Sequence, residues 1–179
     1  MANSLRKVVS AAVVGNVIEV YDMSIYGYLA AYIALNFFPQ HDAMVGLLNT
    51  FAVFFLGFLA RPIGSIIFGY IGDRRGRKAA LVVSVILMAA ATCVIGLLPT
   101  YHSVGNMAAV LLIVMRLFQG FSVGGEYLGS SIFLIEHAPE KRRGLFGGFA
   151  MLSGNTGMLI AAAASWAVTF FLSTQAIEA

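Results

Sequence analysis

Apolar residues fill this chain in long runs, separated by short polar connections rather than by regular alternation. Five runs reach the roughly 20 mainly apolar residues that a bilayer crossing requires: 8–38, 45–71, 79–98, 107–135 and 145–172. None alternates with the period of a barrel strand. Backbone in lipid satisfies itself only within a helix or a closed barrel, so each run is predicted to be a helix. The pattern therefore predicts an all-α membrane protein of five transmembrane helices, with no soluble domain. Arg6 and Lys7 ahead of residues 8–14 have the look of a cleaved signal, but the apolar character resumes beyond Asp22 and reaches Phe38, so a spanning helix is the better reading.

Composition agrees with that reading. Of 179 residues, 60% are hydrophobic and 11% charged, against about 45–50% and about 25% in soluble domains. A pI of 9.2 might suggest a nucleic-acid partner, but the basic residues lie where topology uses them. Arg6 and Lys7 precede the first span, Arg74, Arg75, Arg77 and Lys78 join the second to the third, and Lys141, Arg142 and Arg143 join the fourth to the fifth. Residues 39–44, 99–106 and 173–179 contain no Lys or Arg. The positive-inside rule then predicts a multi-pass protein with a cytoplasmic N-terminus and an external C-terminus, and no nucleic-acid partner.

Small residues four apart let helix backbones approach closely, and the candidates here are Ser65 with Gly69, Gly120 with Gly124, Gly125 with Gly129, Gly144 with Gly148, and Ser153 with Gly157. Cys93 is the single cysteine, so neither an intramolecular disulfide nor a cysteine metal cluster is available. His41, His102 and His137 are scattered and suit no metal site. The "GGE" at 124–126 lacks the preceding strand and the lysine of a phosphate loop. No enzyme constellation is present.

Five ionisable residues fall within the spans: Glu19, Asp22, Arg61, Arg116 and Glu126. An ionised side chain at the bilayer centre costs about 2.5 to 3.5 kcal/mol on insertion scales, so such residues are expected to face one another or a cavity. At about 100° per residue, Asn16, Glu19, Asp22 and Tyr26 share one stripe of the first helix, which is predicted to face the bundle interior. Depth along the helices ranks Glu19, Asp22 and Arg61 nearest the midplane, with Arg116 on the outer side and Glu126 deeper toward the cytoplasm. Arg61 is thus the expected partner of Glu19 or Asp22. Three carboxylates face two guanidiniums, and arginine keeps its proton, so one carboxylate is left to bind and release a proton. A proton relay is the functional expectation. A buried polar network that merely fixes helix register is the other reading of the same residues.

The connection "GYIGDRRGRK", residues 69–78, resembles the signature of the major facilitator superfamily at every specified position: Gly69, Asp73, Arg74, Gly76, Arg77 and Lys78. Gly76 permits a sharp turn, and Asp73 beside basic groups can form an inner latch that breaks when a transporter changes face. "RLFQG" resembles the superfamily's fourth-helix pattern through Arg116, Gln119 and Gly120. "EHAPEKRRG" resembles the charged end of that helix, where Glu136 with Arg142 or Arg143 would join the Asp73 cluster as a cytoplasmic gate. The residues Glu19, Tyr21, Asp22 and Tyr26, with "RPIGSIIFG" and "GFSVGGEY", are similar to the metabolite:proton symporter branch, which carries proline/betaine, 2-oxoglutarate, citrate or shikimate. Val20 and Met23 depart from the Trp and Phe usual in that branch.

The resemblance implies secondary transport in the cell inner membrane, driven by a proton gradient without a cofactor. It implies a cavity including Asn16, Glu19, Asp22, Tyr26, Arg61, Arg116, Gln119 and Glu126. "GEYLGSSIFLIEHAPEKRRG" looks most like the proline/betaine type, and Tyr21, Tyr26 and Tyr127 could meet a quaternary ammonium through their ring faces. An organic-acid symporter is the alternative. A twelve-helix relative would bind its small-molecule substrate between two six-helix halves. Five spans correspond to most of the N-terminal half, so the expectation is a truncated form whose activity the sequence leaves open, completed if at all by a complementary half. A non-transporting membrane assembly or regulatory subunit is the alternative of another class. A simple pore is disfavoured, because the buried charges pair instead of forming a ring of one sign.

Overall fold

The computed structural model describes the backbone of residues 2–39, 42–123, 135 and 138–171, and the side chains of these except 2–9, 11, 12, 77, 78 and 81. Glu126, Tyr127, Glu136, His41, His137, Gly124, Gly125 and Gly129 lie outside the described residues, as do the side chains of Arg77 and Lys78. The described chain is helical, with no strand among the described residues.

The helices are α1 (Ala2–Tyr28), α2 (Ala30–Phe37), α3 (Ala43–Arg75), α4 (Arg77–Gly96), the single turn α5 (Tyr101–Val104), α6 (Met107–Val123) and α7 (Arg143–Phe171), the last entered through a 3-10 turn over Glu140–Arg142. By length and composition, Ala43–Arg75 and Glu140–Phe171 can each cross a membrane, while Val82–Gly96 and Met107–Val123 are shorter apolar helices. Large apolar side chains such as Ile66, Leu97, Met151, Leu159 and Phe171 point outward and are well exposed. A helix bundle with an apolar exterior and a polar interior inverts the arrangement that water favours and suits a lipid surround.

The boundaries depart from the sequence reading in three places. The first span, expected as one helix over 8–38, is interrupted at Leu29, whose ψ is 11°. The rod nevertheless continues, because Leu29 N donates to Ile25 O and Ile33 N donates to Leu29 O, each at 3.0 Å. The second span, expected over 45–71 with Asp73 at a helix end, extends to Arg75, so Asp73 and Arg74 belong to the helix itself. A helix end projecting past the apolar zone carries charged residues at no desolvation cost, and hydropathy cannot see that continuation. Only Gly76 leaves the helix. With φ of 88° and ψ of 145° it lies where a side chain is disfavoured, and α4 begins at the next residue.

At the other end of α3, the Asp42 carboxylate caps the helix by accepting from Met44 N at 2.8 Å. Pro62 lies inside α3 and removes one backbone donor, but on an exposed face where its ring meets no neighbouring helix.

Packing divides the bundle. One unit is the pair α1 and α7, and the other is the trio α3, α4 and α6, with α2 lying on α3. Small residues make both closures. In the pair, a Cβ on Gly157 would come to 2.5 Å from Val17 O, and Ser153 beside it is buried. In the trio, Gly120 lies against the backbone of Gly57, and Gly64 against the carbonyl of Phe121. Of the small-residue pairs expected from spacing, Ser153 with Gly157 is therefore a contact. Ser65 with Gly69 and Gly144 with Gly148 are not, since these three glycines meet nothing within 4 Å and Ser65 is exposed. Spacing alone does not tell which side of a helix has a neighbour.

Candidate functional site

The stripe expected on the first helix is buried along its length. Asn16, Glu19, Asp22 and Tyr26 are all core residues, with Glu19 only 2% exposed. They do not all serve one place. Asn16 turns toward α7, where its Nδ2 donates to Ala150 O at 2.9 Å and to Ser153 Oγ at 2.6 Å. It fastens the α1/α7 pair and does not line the cavity.

The other three face the trio. Asp22 Oδ2 accepts from Thr92 Oγ1 of α4 at 2.7 Å and from Gln119 Nε2 of α6. Gln119 Nε2 also donates to Thr92 Oγ1 at 2.8 Å. Gln119 Oε1 accepts from Arg116 Nη1. The amide of Gln119 thus stands between guanidinium and carboxylate, passing the attraction of one to the other. Every polar atom of this circuit that is named here has a partner, as a low-dielectric interior demands.

Arg116 is 7% exposed. Its guanidinium carbon lies 3.5 Å from the centre of the Tyr26 ring and 5.7 Å from that of Phe54. Tyr26 is held in turn by its hydroxyl, which donates to Thr50 O at 3.1 Å, and by stacking on Phe54 with ring centres 5.5 Å apart. Phe54 meets Phe58 edge-on at 5.1 Å. The three rings form a ladder, and its far end carries the second cation. Arg61 lies 4.2 Å over Phe58 and donates through Nη2 to Met23 Sδ at 2.8 Å. The buried carboxylate whose field Arg61 feels is Glu19, while Arg116 feels that of Asp22. The Nε of each arginine is buried without a hydrogen-bond acceptor among the described residues.

These groups surround a cavity of about 20 Å³, lined by Glu19, Asp22, Phe54, Phe58, Arg61 and Arg116 together with Met23, Met88, Gln119 and the two glycines Gly57 and Gly120. That is room for about one water molecule. The glycines matter here. A side chain at either would fill the seam from which Arg116 and Gln119 reach inward.

Thr92 is absent from the sequence reading, as are Met23, Phe54 and Phe58 as contacts. Thr92 had one signal: with Ser84 it is one of two hydroxyl residues in the otherwise apolar 79–98 run. Replacing Thr92 by valine keeps the shape and removes both a donor to Asp22 and an acceptor for Gln119. Stability is expected to fall by about 1 to 3 kcal/mol, the cost of leaving such buried groups unmatched. A thermal unfolding midpoint equal to that of the wild type would show the circuit to be energetically idle.

The gating cluster is differently placed. Asp73, Arg74, Arg142 and Arg143 are exposed, and among the described residues no ion pair joins Asp73 to Arg142 or Arg143. Arg74 lies 4.7 Å over the Tyr70 ring of its own helix. The long contact surface of α7 is with α1, and Glu136 and the side chains of Arg77 and Lys78, the other members of the expected latch, lie outside the described residues.

Among the described residues the bundle has an apolar exterior and two buried carboxylates with one buried and one half-buried arginine around a small cavity, an arrangement that suits a membrane protein. The model of the sugar (and other) transporter family matches residues 7–175, and the chain belongs to that family of the major facilitator superfamily. It is 42% identical over 97% of its length to a Staphylococcus aureus (strain COL) protein whose name provisionally assigns it to proline/betaine transport. It is 38% identical over 98% of its length to the glycine betaine/proline/ectoine/pipecolic acid transporter of Dickeya dadantii (strain 3937). With the proline/betaine transporter of Escherichia coli (strain K12) it shares 39% identity over 88% of its length. The chain spans 38%, 35% and 32% of these three relatives, respectively, about a third of each. No solved structure matches it significantly.

Proposed function

We propose that this chain is part of a proton-coupled symporter for a small osmolyte of the proline/betaine class in the bacterial inner membrane, and that Asp22 is its proton site. The observation that carries the reading is the circuit at Asp22, in which one carboxylate oxygen on α1 accepts from Thr92 on α4 and from Gln119 on α6, with Arg116 behind Gln119. Hydrogen bonds to an ionised acceptor are about twice as strong as neutral ones. A proton on Asp22 would weaken all three links at once and loosen α1 from the trio. Binding and release of a proton thereby acquire a mechanical consequence, which a coupling site needs. The names of the three relatives support the substrate class.

In this reading five spans cross the membrane from a cytoplasmic N-terminus. Glu19 with Arg61 and Asp22 with Arg116 form two charge pairs in the cavity, and Tyr26 supports Arg116. Asn16 fixes the rotation of α1, and Glu126 supplies a further carboxylate. Gly69, Asp73, Arg74, Gly76, Arg77, Lys78, Glu136, Arg142 and Arg143 form the cytoplasmic gating region. No cofactor is needed, since the proton gradient supplies the energy.

The test is uptake in proteoliposomes by the chain reconstituted together with a complementary transporter half, with an imposed pH gradient, alkaline inside. Labelled glycine betaine is expected to accumulate above its external concentration, and a protonophore is expected to abolish the excess. Accumulation of 2-oxoglutarate instead would move the substrate to the organic acids. Betaine flux indifferent to the gradient would overturn proton coupling.

A further inference from the structure

The faces of the aromatic ladder are already occupied. Arg116 sits on Tyr26 at 3.5 Å and Arg61 on Phe58 at 4.2 Å, so the protein's own guanidiniums hold the positions that a ligand cation would take. The remaining space, about 20 Å³, is too small for any organic solute. Yet the buried Nε atoms of both arginines lack acceptors among the described residues. Each arginine is therefore satisfied as a cation over a ring but incompletely satisfied as a hydrogen-bond donor.

Resting on the transport reading above, we infer that the arginines are resident occupants of a cation–aromatic site and that a zwitterionic substrate binds by exchange. Its carboxylate draws a guanidinium off the ring and accepts from the donors that lack partners. Its ammonium takes the vacated ring face. The exchange conserves charge at each place: the ring loses one cation and gains another, and the guanidinium trades a ring quadrupole for a carboxylate. It also conserves the total. Among the described residues the walls carry Glu19 and Asp22 against Arg61 and Arg116, a neutral set that a zwitterion leaves neutral. An organic anion would add uncompensated charge to a buried site, and a simple cation would find the rings filled with nothing to draw the arginines away. Both halves of the zwitterion are thus required, and Tyr26 on α1 and Phe58 on α3, the two rings that carry an arginine, become determinants of specificity.

The discriminating ligand is 3,3-dimethylbutanoate, which has the shape of glycine betaine with carbon in place of the cationic nitrogen. The chain, with 15N-labelled arginine, is placed in lipid nanodiscs and titrated with each compound, with arginine Nε–Hε resonances recorded. In the free protein those of Arg61 and Arg116 are expected upfield, under the rings. Glycine betaine should move at least one of them downfield and bind about tenfold more tightly than its carbon analogue, the range that cation–aromatic attraction supplies in a desolvated site. In the Tyr26→Leu/Phe58→Leu double variant, which removes both rings that carry an arginine, that preference should shrink to about threefold or less. Phe58→Tyr, which keeps a ring face, should restore it. Betaine binding with both arginine resonances unmoved, or with the preference intact in the double variant, overturns the exchange while leaving the osmolyte reading standing. A wild-type chain that binds 2-oxoglutarate and not betaine overturns the osmolyte reading, and the exchange with it.

Discussion

Replacing Gly120 by valine is expected to lower the stability of the bundle by about 3 kcal/mol or more, the upper end of what overpacking costs, because nothing at the contact can yield. A Cβ at this position would land on the backbone of Gly57, and two turns further along α3 Gly64 lies equally close to the carbonyl of Phe121. Where the obstacle is a flexible side chain, a rotamer change absorbs the intrusion. Here the obstacle is the main chain of a 33-residue helix, so α3 and α6 must separate. Gly148→Ala is the contrast. Its Cβ would meet nothing within 4 Å, and alanine improves helix propensity over glycine by about 1 kcal/mol. Denaturant titration in detergent, read by helicity, measures both. A G120V midpoint equal to that of the wild type would refute the close crossing.

The second large effect is expected at Asp22. Asparagine is nearly the same size and still accepts from Thr92 and Gln119, though as a neutral acceptor, so Asp22→Asn should fold with α1 held as loosely as in the protonated state while removing the titrating group. For one proton per substrate, a pH difference of one unit sustains about tenfold accumulation. That excess is expected to vanish in D22N, with internal betaine settling at the external concentration. Exchange of labelled for unlabelled betaine needs no net proton movement and is expected to survive. The amide at Glu19, tested alongside, decides between the two carboxylates. Loss of accumulation in Glu19→Gln with full coupling in D22N would transfer the proton site to Glu19 and its neighbour Arg61.

What could be read in the sequence and what could not divide along a physical line. The burial of Asn16, Glu19, Asp22 and Tyr26 follows from helical periodicity, which fixes what shares a face within one helix. The turn at Gly76 follows from local backbone chemistry. Family membership follows from motifs whose spacing survives without knowledge of the fold. Contacts between helices are another matter, because they depend on how each rod is rotated and how far it slides. Asn16 lies on the polar stripe yet fastens to Ser153, and Arg116 reaches Asp22 through Gln119 instead of directly. Thr92 looked like one hydroxyl in an apolar run. The ring ladder was hidden only in part: Phe54, Phe58 and Arg61 follow one another on α3 at helical spacing, whereas bringing Tyr26 of α1 and Arg116 of α6 to them depends on how the helices are placed. The signature residues Asp73 and Arg74 show the opposite limit, since a recognised motif did not say that helix would carry through them.

The circuit at Asp22 also imposes an order on synthesis. Gln119 lies 97 residues after Asp22, so at about 5 to 20 residues per second the ribosome needs roughly 5 to 20 seconds to supply the partner. In the proposed five-span arrangement α1 carries during that interval two carboxylates, each costing about 2.5 to 3.5 kcal/mol at the bilayer centre, with neither Arg61 nor Arg116 in place at first. Released alone into lipid, α1 would tend to slide back toward the headgroups. Its final depth is therefore decided late, when α6 arrives. Biogenesis of this bundle is a matter of timing, in which the insertion machinery must retain the first helix until the sixth can claim it.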